Sequence, residues 1–233
     1  MTVLSACQSA MVRLVGRKPQ TVFSSTQQME MELADLATDV AVDIMGSHDW
    51  RALTKFETLT GDGSQTEFDL PDDYDRIVLA QGVTDTNNWL WGYTPAASLQ
   101  DWMVITSSGF TAVTPGWWII LDGKMQFSPA PSSGSPAKFS YISRNIGRAA
   151  NGSTPISVFS DDGDSFVLDE RLLTLGVIWR WKAQKGMEYA EDMANYEKAF
   201  SENAARDKGS QAIRKGFPNR MPGTHLAWPW ALG

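Results

Sequence analysis

The residues able to do chemistry are few and scattered. His48 and His225 are the two histidines, and neither has a second ligand at metal-binding spacing. The lone cysteine, Cys7, cannot form an intrachain disulfide, which fits a reducing compartment. His48 follows Gly46 at a helix end and reads as a capping residue. The run Asp161-Asp162-Gly163-Asp164 has the carboxylates of a calcium loop but lacks the downstream bidentate glutamate, so it reads as a solvated loop. Asp69, Asp72, Asp73 and Asp75 surround Pro71 and read as turn caps rather than as an acid–base pair. The phosphate loop G-x-x-x-x-G-K-[ST], the nucleophile elbow G-x-S-x-G and the zinc motif H-E-x-x-H are all absent from the sequence. The expectation is therefore no catalytic set, no metal and no cofactor. The enzyme alternative is a cell-wall hydrolase whose paired carboxylates sit on separate strands, where spacing cannot reveal them.

Recognition chemistry is better represented. Ten tryptophans stand beside ten phenylalanines. Trp89, Trp91, Trp102, Trp117 and Trp118 crowd the middle of the chain, where they could form a stacking platform for sugars or bases. Neighbours in a strand point to opposite faces, however, so one of Trp117 and Trp118 belongs to a core, and a two-sided buried strand is the plainer reading. Residues 207–233 lack periodicity yet carry Phe217, Trp228 and Trp230, each costing roughly 1.5–3 kcal/mol to leave in water. Arg206, Lys208, Arg214, Lys215 and Arg220 face only Asp207 in the stretch 206–220. Aromatic anchors with basic forks fit a groove on another chain, with Arg214, Lys215, Phe217, Arg220, Trp228 and Trp230 as its candidate contacts; the alternative is that the tail wraps back onto its own domain.

The composition sets the frame for these residues. The chain has 233 residues, a formal charge of −7, 42% hydrophobic and 20% charged residues, which excludes a disordered or membrane-like chain. Its longest wholly apolar run, Trp117 to Leu121, falls far short of the roughly 18 residues of a spanning helix, and no secretory signal pattern opens it. An acidic average argues against dedicated DNA binding.

The elements that must position these residues divide as helix, strand, helix and tail, an α+β chain. Residues 2–15 place Val3, Leu4, Met11, Leu14 and Val15 at helical spacing before Gly16 and Pro19. Two overlapping capping boxes, Ser24 to Gln27 and Ser25 to Gln28, predict the start of a second helix, whose stripe is Met29, Leu33, Leu36, Val40 and Ile44 and whose stop is Gly46. From Trp50 the period changes to two. Strands are expected at 53–59, 66–70, 76–83, 89–93, 101–106, 117–121, 124–128 and 138–143, with Asp122-Gly123 as the firmest hairpin signal, forming an antiparallel sandwich or barrel. Asp169 is a plausible N-cap for a helix whose Leu172, Leu173, Leu175, Val177, Ile178, Trp179 and Trp181 cover nearly its whole circumference. Such a helix is buried on several sides or between subunits, and Leu172, Leu175, Trp179 and Trp181 are the candidate subunit contacts. A last amphipathic helix, 188–206, carries Tyr189, Met193, Tyr196 and Phe200 on one side. The expected domains are a helix pair at 1–49, a β-domain at 50–145, a linker and second helix pair at 146–206 packing on the first, and the extended tail 207–233.

This order resembles the head-to-tail adaptors of short-tailed bacteriophages, the tail tubular protein A and tail accessory factor group. The resemblance rests on the N-terminal helix pair, on the hairpin WWIILDGKMQFSPAP with its return strand KFSYISRN, and on the closing pair FVLDERLLTLGVIWRWKAQKGMEYAEDMANYEKAF. It implies a structural virion protein without enzymatic activity, assembled in the host cytoplasm as a homo-oligomeric ring of twelve copies at the virion neck. Its C-terminal segment would bind the portal, its far side would receive the nozzle or another tail protein, and DNA would pass through the channel without sequence-specific binding. An acidic ring suits such a conduit, because phosphate affinity scales with neutralised charge. The alternative is a carbohydrate-binding β-domain of a tail or fibre protein.

Overall fold

The computed structural model describes residues 2–78, 83–85, 92–107 and 116–208. They form two compact units, one from residues 2–53 with 143–208 and one from residues 54–142.

The first unit is built on helices α1 (Val3–Val15), α2 (Gln28–Gly46), α4 (Glu170–Gln184) and α5 (Ala190–Lys208). Thr2 and Ser5 form a reciprocal capping box at the start of α1, and Gly16, at φ 73°, ends it. The capping boxes expected near residue 25 do not form. The α2 helix begins at Gln28 with no side-chain cap, because the preceding segment is held elsewhere: Asp162 accepts the backbone N–H of Val22 at 2.9 Å and of Phe23 at 3.1 Å. At the far end Trp50 and Ser47 meet the terminal carbonyls. The Trp50 indole donates to the Ile44 carbonyl at 2.7 Å, and the Ser47 hydroxyl to that of Asp43 at 2.5 Å.

Helix α4 is the axis of this unit and packs against α1, α2 and α5. Asp169 caps it by accepting Arg171 N–H at 2.9 Å. Leu172, Leu173, Val177 and Ile178 meet Val3, Ala6, Cys7, Ala10 and Met11 of α1 and Leu33, Leu36, Ala37, Val40 and Ile44 of α2 in a fully buried core. A small sheet of two-residue strands, in the order β10 (Pro155–Ile156), β9 (Gly147–Arg148), β11 (Ser165–Phe166), leads into α4.

The second unit is a pair of sheets. One runs β1 (Thr54–Thr60), β8 (Pro136–Ser143), β3 (Tyr74–Ile77), with β4 (Thr84–Asp85) also on β8. The other runs β2 (Glu67–Asp69), β7 (Lys124–Ser128), β6 (Trp117–Leu121), β5 (Thr94–Pro95), and its β5–β6 pairing is parallel. Period-two alternation sends Ala137, Phe139 and Tyr141 from the first sheet and Phe68, Trp118, Met125 and Phe127 from the second into one core. The sheets do not close into a barrel among the described residues. Asp122 and Gly123 turn the β6–β7 hairpin with φ of 50° and 70°, the paired positive values that a two-residue type I′ turn requires.

One segment departs from the expected strands. Residues 101–106 belong to helix α3 (Leu99–Ser107), because Ser98 caps it, accepting Asp101 N–H at 3.1 Å and donating to the Asp101 carboxylate at 2.9 Å. The Ser98-x-x-Asp101 spacing, a capping-box variant, outweighs the β-forming Val104, Ile105 and Thr106. The strand expected at 76–83 is shorter: Ile77 ends β3, and residues 79–82 lie outside the described ones. Of the strand expected at 89–93, Trp89 and Trp91 lie outside them too, and Gly92 makes a single bridge to Thr84.

Candidate interaction surface

The carboxylates the sequence brings together serve as structural acceptors. Asp164 is buried and takes N–H groups from Ala150 at 3.0 Å, Ser160 at 2.8 Å and Asp161 at 2.9 Å. Burial works against ionisation of Asp162, but bonds from Thr21, Val22 and Phe23 outweigh it and hold the carboxyl below its usual range. The 161–164 run is thus a turn in which Asp162 and Asp164 are spent on backbone N–H groups while Asp161 stays exposed. Asp73 takes the Lys55 ammonium at 2.5 Å and the Tyr141 hydroxyl at 2.9 Å, fastening β3 to β1 and β8, while Asp75 pairs with Arg76. Among the described residues no group of three or more His, Cys, Asp or Glu side chains could hold a metal ion. Cys7 is buried in α1, and burial, reinforced by the Asp162 and Glu170 carboxylates, pushes its thiol up to about 12.

A cavity of about 360 Å³ opens where α5 ends, lined by Trp50, Val167, Leu168, Leu172, Asn203 and Arg206 with Asp169 and Asp207 beside it. Both carboxylates are engaged there. Asp169 caps α4, and Asp207 accepts Arg51 N–H at 3.0 Å and lies 3.5 Å from His48 Nε2. What remains is a recess of mixed polar and apolar lining, in which both carboxylates are already engaged.

The described indoles are distributed unevenly. Trp102 and Trp118 are buried and Trp117 is half-buried, as strand alternation requires of the 117–118 pair. Leu172, Leu175 and Trp181, read as candidate subunit contacts, are buried by the chain's own helices; the surplus of apolar surface on α4 is met by three neighbours instead of one. Trp181 donates to Glu32 at 3.1 Å, and Lys185 to the same carboxylate at 2.8 Å; the Lys185 bond is the main cause that lowers the Glu32 pKa. Trp179 is different. It stands half-buried between Tyr189 at 6.4 Å and Tyr196 at 6.0 Å, with the Arg180 guanidinium over its ring at 5.4 Å, and Met187, Tyr189 and Met193 beside it are exposed. The tail candidates Arg214, Lys215, Phe217, Arg220, Trp228 and Trp230 lie outside the described residues.

The arrangement is thus a helical unit and a β-unit with internally engaged polar groups and exposed surface along α1 and α5. The family model for the SU10 adaptor protein matches residues 1–222. The chain belongs to the SU10 adaptor protein family. Membership gives this adaptor a structural role as a phage virion component, in association with other head or tail components. No curated protein matches the sequence. The match takes in every described element of the adaptor and runs past α5 through Arg214, Lys215, Phe217 and Arg220, stopping short of Trp228 and Trp230.

Proposed function

We propose that the adaptor joins the portal to the tail at the neck of the virion as a ring of twelve copies, continuing the DNA channel, without enzymatic activity. The observation that carries this reading is the family match over residues 1–222. Its extent supports assigning the portal contact to the tail, because the matched region includes the basic residues Arg214, Lys215 and Arg220 together with Phe217. Trp228 and Trp230 then add anchors particular to this adaptor. The portal is one partner, the nozzle or another tail protein the other, and assembly takes place in the host cytoplasm. Of the α4 residues, Trp179 keeps enough surface to meet a neighbouring copy, whereas Leu172, Leu175 and Trp181 shape the interface from behind.

The structure sets where the tail can be cut. Asp207 anchors the end of α5 to the backbone at Arg51, so a deletion must begin after Lys208. A chain lacking 209–233 folds and is not retained by immobilised portal rings, while the full chain is retained. Equal retention of both would refute the tail as the portal contact. Sedimentation of the full chain, alone and mixed with portal rings, reports the copy number.

A further inference from the structure

We propose that in the unassembled adaptor Trp228-Pro229-Trp230 of the chain's own tail covers the apolar patch where α4 turns into α5, and that the portal draws it off; the second half rests on the portal reading above. The turn leaves Met187 47%, Tyr189 40% and Met193 36% exposed. Beneath them Trp179 is half-buried between Tyr189 and Tyr196. Tyr189 and Met193 are four residues apart, one turn along the helix surface, so their side chains form one patch. Folding of the helical unit leaves this apolar surface unused, and methionine adapts readily to whatever covers it.

Chemistry and reach set the occupant. Two indoles left in water cost roughly 1.5–3 kcal/mol each. Proline fixes its own φ and holds Trp228 extended, so little chain freedom is lost when the segment docks. Residues two apart in an extended chain have their Cα atoms about 6–7 Å apart, which matches the 6.4 Å between the Trp179 and Tyr189 rings. Residues 221–233 contain no Lys, Arg, Asp or Glu, so covering the patch with them buries no unpaired side-chain charge of the segment. Trp228 and Trp230 also lie past the family match, which ends at residue 222.

The tail is long enough to return. Lys208 and Ala190 stand at opposite ends of α5, 18 residues and about 27 Å apart. The 20 residues from Lys208 to Trp228 span at most about 66–72 Å. The segment therefore reaches the patch of its own chain with length to spare, and the tether presents it there at any dilution. A second copy or a portal ring has to arrive from solution. Because the two indoles cannot sit on the patch and in a portal groove together, the two contacts compete.

The test uses the full-length chain with Ala190→Cys and Ala231→Cys, treated at high dilution with a short bismaleimide. Ala190 is exposed beside Tyr189, and buried Cys7 gives no background. The two thiols should couple within one chain, read by intact mass, at least fivefold faster than in the same chain carrying Trp228→Ser/Trp230→Ser, which measures what the tether alone contributes. Tyr189→Ser/Met193→Ser, at exposed positions, should slow coupling as much while leaving the circular-dichroism spectrum unchanged. Portal rings added to the unsubstituted pair should slow it at least fivefold as well. Equal rates with and without the indoles, or coupling only between chains, overturn the docking. Undiminished coupling on chains that portal rings retain overturns the exchange. Chains that portal rings do not retain, but whose coupling still depends on the indoles, overturn the portal reading and leave the docking standing.

Discussion

Asp162 illustrates how one carboxylate can decide where a helix starts. Its oxygens take the Thr21 hydroxyl and the Val22 and Phe23 amides, which fixes the turn before α2 and buries Val22 to 1% exposure. Asp162→Ala leaves two amides without their acceptor, and hydrogen bonds to a charged group contribute about 1.5–3 kcal/mol each, so a net loss of about 2 kcal/mol at neutral pH is expected after partial rehydration. The sign of the pH effect follows from the lowered pKa. A carboxyl held below its unfolded value stabilises the fold above that value, near 3.9, and ceases to do so as pH falls through the lower folded value. Denaturant titrations of wild type and Asp162→Ala should therefore differ at pH 7 and converge as the pH falls below the unfolded value and through the lower folded one. A gap that persists at low pH would mean the aspartate acts through packing and not through charge. The local sequence pointed the other way, because serines ahead of an apolar stripe are a helix-start signal. An acceptor about 140 residues downstream has no trace in that window, and it draws the turn away from the caps.

At the scale of elements, α4 shows both what periodicity can reveal and where it stops. The all-round apolar pattern from Leu172 to Trp181 predicts multi-sided burial, and the helix is indeed enclosed by α1, α2 and α5. Periodicity does not say whose atoms do the enclosing, so the number of neighbours within one chain was not legible. The hairpin at Asp122-Gly123 was legible because turn chemistry is local. Helix α3 was open to misreading because its short β-branched run suits a strand as well, and only the Ser98–Asp101 spacing separates the two readings. Gly176 is where three helices converge. A Cβ there would run into the Val40 side chain of α2 and come within 3.3 Å of the Tyr196 ring. Replacing glycine by alanine in a helix gains about 1 kcal/mol of propensity, whereas overpacking a dense core costs typically 1–3 kcal/mol. Overpacking should win, because Val40 is buried and has nowhere to go. Gly176→Ala is expected to lower stability by about 1 kcal/mol in chemical denaturation. A stabilised variant would show that α2 can shift outward at no cost.

For the whole molecule the telling quantity is the distribution of charge. The chain carries −7, and residues 209–233 contribute Arg214, Lys215 and Arg220 with no acid, so the remainder carries −10. On α2 alone five acids stand with no basic residue; Arg17 pairs with Glu30, Lys185 with Glu32 and Arg180 with Asp43, which leaves Asp35 and Asp39 exposed. Affinity for a duplex grows with the number of phosphates that cations neutralise and falls steeply with salt. A folded body of this charge repels DNA, as the proposed conduit role requires, and the three tail cations are too few to reverse that at an ionic strength of about 0.15 M, where the screening length is about 8 Å. Mobility-shift titrations should show no retention of duplex DNA at that salt for the full chain. At about 0.01 M, where screening extends to about 30 Å, any weak retention should disappear when residues 209–233 are removed. Retention that survives both the higher salt and the truncation would place a DNA-binding surface on the folded units, and the acidic helices could not then be the walls of a passive channel.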